Sequence, residues 1–456
     1  MKLPQLPSHI EALMETFRNA GFSIYVVGGP VRDMLLGVNP TDIQNWDFAT
    51  SATPSQMLEL LPGAKYENDF GTVLLALSVP TEHTDETIIA EITPFRHEGM
   101  YKDNRHPESV TWAQTIEEDV SRRDFTINAM AYDGHTLIDI THSQVDLKNK
   151  IIKAVGDPTM RFKEDALRML RAVRFATQLN FTIDASTQNA IIINADLLQN
   201  ISGERIRDEF LKILASLDPA EGVLLLHTTG LLQHILPEVE TCFGVEQKSP
   251  ERHHIHDVAT HLIESLRHCP SADPITRLGA LIHDIGKPQT RAIDKRGITT
   301  FHDHEIVGAE MAAEIAERLR LSKDDKERLI KLVRYHMFAV TEDQTDKTIR
   351  RFIRKVGVET IQDLLDIRTG DRLGSGTPAT SWRTELFKKR LEEVQQLPFT
   401  VHDLNISGQE IMAALNLKPG PEVGKVLDTL FEMVDSGEVK NEREELVSKL
   451  IHLKVN

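Results

Sequence analysis

Apolar positions change their spacing once along this chain, near residue 145. Residues 8–20 carry the three-and-four spacing of a helix that stops at Gly21, and "SIYVV" then reads as a short buried strand leading into Gly28-Gly29. "VRDMLLG" returns to helical spacing. Runs that read as strands follow at "GTVLLAL", "TIIAEI" and "TLIDI", so the first ~140 residues predict a small mixed sheet with helices packed on it. Beyond that point "EDALRMLRAVRFATQL", "ERIRDEFLKILASL" and "AEMAAEIAERLRL" repeat their apolar residues at three and four, and strand alternation almost disappears. The expectation is an α/β head followed by a helical remainder. No internal repeat or low-complexity tract interrupts it. Turn formers gather at 243–254 ("FGVEQKSPERHH") and 370–381 ("GDRLGSGTPATS"), which are the predicted joints.

The 456 residues have room for two to four domains, and 40% hydrophobic with 27% charged is ordinary for a globular chain. Cys242 and Cys269 are too few for a disulfide framework or a cysteine metal site, which fits a reducing compartment such as the cytoplasm. The opening "MKLPQLPSHIEALMETF" lacks the apolar core of a signal peptide, and no run approaches the ~18 apolar residues of a membrane span. A soluble, unprocessed protein is expected. The net charge of −17, from 52 basic and 69 acidic residues, argues against broad adhesion to polyanions. A local basic groove is still compatible with it, and the Arg-rich segments 96–105 and 161–174 are where one could arise.

Candidate chemistry begins at the Gly-Gly turn. Gly28 and Gly29 let backbone N–H groups approach a phosphate, Arg32 in the following helix is placed to pair with its oxygens, and Asp47 offers the hard oxygen that Mg²⁺ prefers. Two positions earlier, where a second carboxylate would complete a metal pair, stands Asn45. Asp42 is an odd number of residues from Asp47 and would face the other side of a continuing strand. In "RRDFTINAM", Arg123 precedes Asp124 and Asn128, whose i, i+4 spacing would put both on one helical face, in reach of a ribose. In "EDALRMLRAVRF", Asp165, Arg168, Arg171 and Arg174 recur every three residues, a winding ridge that opens with a carboxylate beside a guanidinium and so offers acceptor and donors to a base edge.

"GGPVRDMLLG", "WDFATSATP", "RRDFTINAM", "EDALRMLRAVRFA" and "ERIRDEFLKIL", in that order, resemble the successive motifs of the class II tRNA nucleotidyltransferase and bacterial poly(A) polymerase family. The stretch "EITPFRHEGMYKDNRHPESVTW" resembles the family's flexible loop, and "ISGQEIMAALNLKPGPEVGKVLDTLFEMV" the C-terminal domain of its tRNA-adding members. The resemblance implies a polymerase-β-like head over 1–145 and neck and body helices over 146–250. It also implies a helical, tRNA-binding tail over 376–456, and addition of C, C and A to tRNA from CTP and ATP with Mg²⁺. It maps triphosphate contacts onto Gly29 and Arg32, the metal pair onto Asn45 and Asp47, and ribose or nucleotide contacts onto Arg123, Asp124 and Asn128. Asp165 and Arg168 fall on the residues that read the base, with Arg171 and Arg174 in support. Asn45 keeps one oxygen of the family's first acid and removes its charge.

Histidines concentrate after residue 250. His261, His283-Asp284 in "HDIGK", His304, His336 and Asp371 resemble the ordered ligands of an HD-type metal-dependent phosphohydrolase, which implies an HD domain over 251–375 holding a divalent transition metal. His253, His254, His256 and His302 read as surface residues. Three readings stay open besides full CCA addition: a poly(A) polymerase, an enzyme adding only CC or only A, and a hydrolase whose head binds tRNA without efficient catalysis.

Overall fold

The computed structural model describes residues 3–67, 71–80, 85–98, 110–247, 256–338, 346–394 and 401–450. Its N-terminal part is organised by strands β1 (Ile24–Val27), β2 (Asn45–Thr50), β3 (Lys65–Tyr66), β4 (Val73–Pro80) and β5 (Asp85–Pro94). A short ribbon of β6 (Arg96–Glu98) and β7 (Val110–Trp112) follows, then β8 (Ala131–Tyr132) and β9 (Leu137–Ile138). Seven of these form one mixed sheet in the order β3-β4-β5-β2-β1-β8-β9. β2 lies at its centre, antiparallel to β1 and parallel to β5. Alternation along β2 explains what it presents: Trp46 and Phe48 are buried in the core, while Asn45 and Asp47 face the opposite side. The helix Ser8–Asn19 buries Ile10, Leu13, Met14 and Phe17, the stripe its three-and-four spacing predicts.

From Pro158 onward the chain is mostly helical. Leu167–Leu179, Gly203–Leu214 and Pro219–Thr228 pack on one another, and Gly222 permits their close approach: a Cβ there would stand 2.5 Å from Ile213. The chain divides into two compact units near Val245, with Ala272–Ile275 and Glu314–Lys323 returning to the first. The turn-rich stretch 243–254 straddles that division, and its residues from 248 lie outside the described residues.

In the second unit the helices Val258–Arg267 and Ile361–Gly374 pack closely. Residues 370–374, expected as part of a joint, are helical instead. Gly370 and Gly374 are contact points: an added Cβ would meet Ser265 O at 2.3 Å and Ser265 N at 2.7 Å, so glycine here serves helix packing and not a turn. The last helices, Gly408–Leu415, Pro421–Asp435 and Arg443–Leu450, share a small core of Ile411, Val426, Leu430, Leu446 and Leu450. A buried ion pair at 2.6 Å joins Asp435 of that group to Arg350. Among the described residues no helix is long and apolar enough to cross a membrane.

Candidate functional site

β1 delivers the chain to Gly28, whose φ of +70° is a left-handed conformation that L side chains rarely adopt. A Cβ there would stand 3.1 Å from Arg123 Nη1 and 3.4 Å from Asp47 Oδ2, so the turn sits directly against both. Arg32, one turn into the next helix, donates to Asn128 Oδ1 at 2.8 Å and to Asp33 at 2.8 Å. Asn128 ends the tight turn Thr126–Asn128. The helical face expected for Asp124 and Asn128 is therefore absent. Phe125 between them is extended because it pairs as a bridge with Ala154, and tertiary pairing overrides the local spacing.

A cavity of about 530 Å³ opens beside β2 and β5, lined by Asp47, Glu91, Arg123, Asp124, Asp165, Arg168, Arg171 and Arg205 among others. Asp47 is directly opposite Glu91 in the strand register. Burial raises the Asp47 pKa against the opposing pull of Arg123 and Arg32, while burial and then the Asp47 charge push Glu91 up to about 6. Asn45, at the exposed start of β2, does not line this cavity. Asp42 belongs to the exposed turn Pro40–Asp42, off the strand altogether.

Every cation of the cavity mapped from the sequence already has an acid beside it. Buried Asp119 holds Arg122 at 2.6 Å and Arg123 at 3.1 Å. Arg171 meets Asp124 at 2.7 Å, and although burial works the other way, Arg171 and Arg168 hold that carboxyl below its usual range. Asp165 is not the first residue of a helical ridge. It ends Pro158–Glu164 in extended conformation, accepts from Leu167 N at 3.1 Å, and takes both Nη groups of Arg205 at 3.3 and 2.8 Å. Arg168 pairs with Glu164. Arg174 is buried against Glu209 at 3.2 Å and over the Phe175 ring, and does not line the cavity. Gly28, Gly29, Arg32 and Asn128 form the adjoining wall rather than the cavity lining itself.

Glu91, Asp119, Arg205 and Glu209 were not identified from sequence. Glu91 had a signal as the lone acid in the otherwise apolar run "TIIAEI", and Arg205 and Glu209 lie within the motif "ERIRDEFLKIL" without being singled out there. Among the described residues, the head shows no set of three metal-capable side chains; Asp47 and Glu91 are two hard oxygen donors to which phosphate oxygens would add.

The second unit is arranged differently. His261, His283 and Asp371 form one ligand group, and Asp284, His304 and His336 a second, with donor atoms within 4.8 Å of one another in each. Asp284 ties them together: its Oδ2 is 3.4 Å from His261 Nε2 and its Oδ1 3.0 Å from His304 Nε2 and 3.5 Å from His336 Nε2. The Nδ1 atoms of His283, His304 and His336 lie 2.8, 2.7 and 2.7 Å from the carbonyls of Ala280, Phe301 and Val333, which leaves each Nε2 lone pair directed inward. One further detail suits a cation: His261 Nε2 and His283 Nε2 approach to 3.2 Å. Buried Lys287 meets Asp284 Oδ2 at 2.5 Å and Gln247 Oε1 at 2.7 Å. All of the group but His261 line a cavity of about 480 Å³ with Lys287, Phe301, His302, Phe338 and Arg368. His302 is exposed at its rim, His256 is half-buried, and His253 and His254 lie outside the described residues.

Comparison with known proteins covers both units. Residues 24–153 match the family described as "Poly A polymerase head domain", 180–243 the "Probable RNA and SrmB- binding site of polymerase A", and 253–366 the HD domain. The A-adding tRNA nucleotidyltransferase of Deinococcus radiodurans is 34% identical over 92% of this chain and 93% of its own. The CCA-adding enzyme of Levilactobacillus brevis is 32% identical over 98% and 99%. The crystal structure of the Bacillus stearothermophilus CCA-adding enzyme in complex with CTP superposes with a TM-score of 0.69 at 27% identity, covering 99% of this chain and 98% of that one.

Proposed function

Because this chain belongs to the tRNA nucleotidyltransferase family, we propose that the head cavity is where it adds nucleotides to the 3′ end of tRNA. The chain is an enzyme of CCA addition, with CTP, ATP and tRNA as its partners and divalent metal in its chemistry. The observation that carries the site assignment is that Asp47 and the Asp165/Arg168 pair line one cavity together with Arg123 and Arg171. Its inner face can hold a triphosphate while its outer face meets a base edge.

In the reaction the 3′-oxygen of the RNA bonds to the α-phosphorus of the incoming nucleotide, the bond from that phosphorus to the bridging oxygen breaks, and pyrophosphate leaves. Arg123 and Arg171 offset the negative charge of the phosphates. The proton of the 3′-hydroxyl leaves to water as that bond forms. Mg²⁺ would be held through Asp47 and Glu91 and would neutralise developing charge, with Asn45, outside the cavity lining, the alternative second ligand. Asp165 and Arg168 must exchange Arg205 and Glu164 for the base they read. Two buried free cysteines support a reducing, cytoplasmic setting.

The deciding experiment incubates the protein with tRNA lacking its 3′ end and labelled CTP or ATP, resolving products by single nucleotides. Addition of C, C and A is expected. CC alone or A alone would narrow the enzyme to partial addition, a long A tail would make it a poly(A) polymerase, and no addition would overturn the assignment.

A second activity rests on the converging ligands of the other unit. His261, His283, Asp284, His304, His336 and Asp371 would hold divalent transition metal for phosphoester hydrolysis. Water oxygen bonds to phosphorus, the ester P–O bond breaks, and the leaving oxygen takes the proton. With Mn²⁺, Ni²⁺ or Co²⁺ added, hydrolysis of a phosphodiester is expected and should disappear in His283→Ala while nucleotide addition continues; absence of metal uptake and of hydrolysis would reduce this unit to a scaffold.

A further inference from the structure

Beside the ligand cavity lies a recess of about 210 Å³, lined by Phe338, Arg368, Arg372, Trp382 and Arg383 with two hydroxyl residues. Phe338 and Arg368 line both spaces, so the recess shares a wall with the ligand cavity. Its aromatic content is unusual in where it is displayed. Trp382, the first residue of the helix Trp382–Val394, is 57% exposed, whereas Trp46 is fully buried. An indole left at the surface forgoes the burial that usually holds it.

The surroundings keep this aromatic wall in place. Phe338 is fixed by ring contacts with Phe352 and Phe387 at 5.8 and 5.0 Å. Arg372 donates to the carbonyls of Pro378 and Thr380, which holds the loop leading to Trp382. The Arg383 guanidinium lies 5.2 Å from the centre of the Trp382 ring. Arg368 stands on the shared wall, donating to Asp371 Oδ2 at 3.1 Å. In a chain of net charge −17, three arginines and an exposed indole line one recess beside the ligand cavity.

We propose that the recess is a nucleobase subsite of the hydrolytic centre, so that this centre takes a nucleotide, its phosphate toward Asp284 and Lys287 and its base between Trp382 and Phe338. This rests on the reading of the ligand cluster as a phosphohydrolase. Stacking on an aromatic face recognises any base, and the arginines add attraction for the flanking phosphate. The nucleotide can be free or can be the last residue of an RNA.

The test uses the full chain and three esters with the same five-membered ring at phosphorus: glycerol 1,2-cyclic phosphate, adenosine 2′,3′-cyclic phosphate and a trinucleotide ending in a 2′,3′-cyclic phosphate. In the Mn²⁺-loaded protein, Trp382→Ala and Arg383→Ala should raise KM for the two nucleotide esters about tenfold or more, with the glycerol ester unchanged and Trp382→Phe close to the parent. A second readout needs no metal: in EDTA, adenosine 3′-phosphate should quench a component of tryptophan fluorescence that Trp382→Phe lacks. Tighter binding of the trinucleotide than of the mononucleotide would identify an RNA end as the source, and equal binding a free nucleotide. Equal loss on all three esters in Trp382→Ala, or no effect on any, overturns the subsite. If no ester is hydrolysed, the hydrolase reading fails, and the subsite is then decided by the quench alone.

Discussion

The two candidate centres of this protein solve opposite electrostatic problems. In the head cavity positive and negative side chains are already matched: Asp119 with Arg122 and Arg123, Asp124 with Arg171, Asp165 with Arg205, Glu164 with Arg168. Substrate must break several of these pairs before it can be held. In the second unit the ligands point at one another, and the balancing positive charge from the protein comes from Lys287 on Asp284 and Arg368 on Asp371. Binding of a cation by such a cluster would add to the stability of the fold. The head cavity thus offers paired charges that a ligand would have to exchange, and the other centre a converged ligand set that a cation could fill.

The largest expected effect comes from removing the residue on which the fixed centre turns. Asp284 is buried, touches His261, His304 and His336, and is the carboxylate that Lys287 Nζ meets. Asp284→Ala should abolish hydrolysis. It should also lower stability by about 3–5 kcal/mol, because a buried ammonium loses its partner. Thermal unfolding of the parent and variant, each with and without Mn²⁺, measures both consequences. A Tm unchanged by the substitution would mean that the cluster is already neutralised by other groups, and the contrast between the centres would fail.

In the head the matching effect falls on Asp47, which should be indispensable to nucleotide addition. Asn45→Asp works in the opposite direction. The substitution restores a charge without changing shape, so addition should be faster at limiting Mg²⁺ with little change in Tm. Rates against metal concentration for the three proteins decide it. Should Asn45→Asp be no faster, the missing charge is supplied elsewhere, and Glu91 is the group the geometry offers.

How much of this was legible in the sequence follows the same division. Residues that act within one short motif, such as Gly28 with Arg32 or His283 with Asp284, could be read because the backbone itself fixes their spacing. The partners that set their charge could not. Arg205 reaches Asp165 from a helix 40 residues on, and Asp119 precedes the motif it organises. No periodicity links them. Likewise Phe125 becomes extended only because Ala154 pairs with it, and Gly370 reads as a turn former until Ser265 is seen to need the space. The motifs were visible; the charge pairing that distinguishes the head was not.

That pairing predicts an intermediate effect. Arg205→Ala frees Asp165 from a two-point contact while leaving the acid in place, and Asp165→Ala removes the acceptor itself. Asp165→Ala should shift the CTP-to-ATP preference by about 1–3 kcal/mol, while Arg205→Ala should blur it without abolishing addition. Selectivity measured in competition, at equal tRNA binding, separates the two. Unchanged selectivity in Asp165→Ala would remove it from base reading.

The smallest expected effect is one of pH, and it bears on whether Glu91 belongs to the metal-holding pair. Burial, and then the Asp47 charge, raise Glu91 from an ordinary 4.5 to about 6 in the folded protein. Because the raised value favours the protonated form in the fold, metal-free stability is greatest below the unfolded value, declines as pH rises from 4.5 through about 6, and is flat above. A metal ion reverses the advantage, since only the ionised carboxylate binds it. The Mg²⁺ concentration for half-maximal addition should therefore fall as pH rises from 5 to 7 and then level. In Glu91→Gln, which cannot ionise, that slope should vanish while the pH dependence due to other groups is kept. A slope that survives the substitution would remove Glu91 from the pair and return the second ligand position to Asn45.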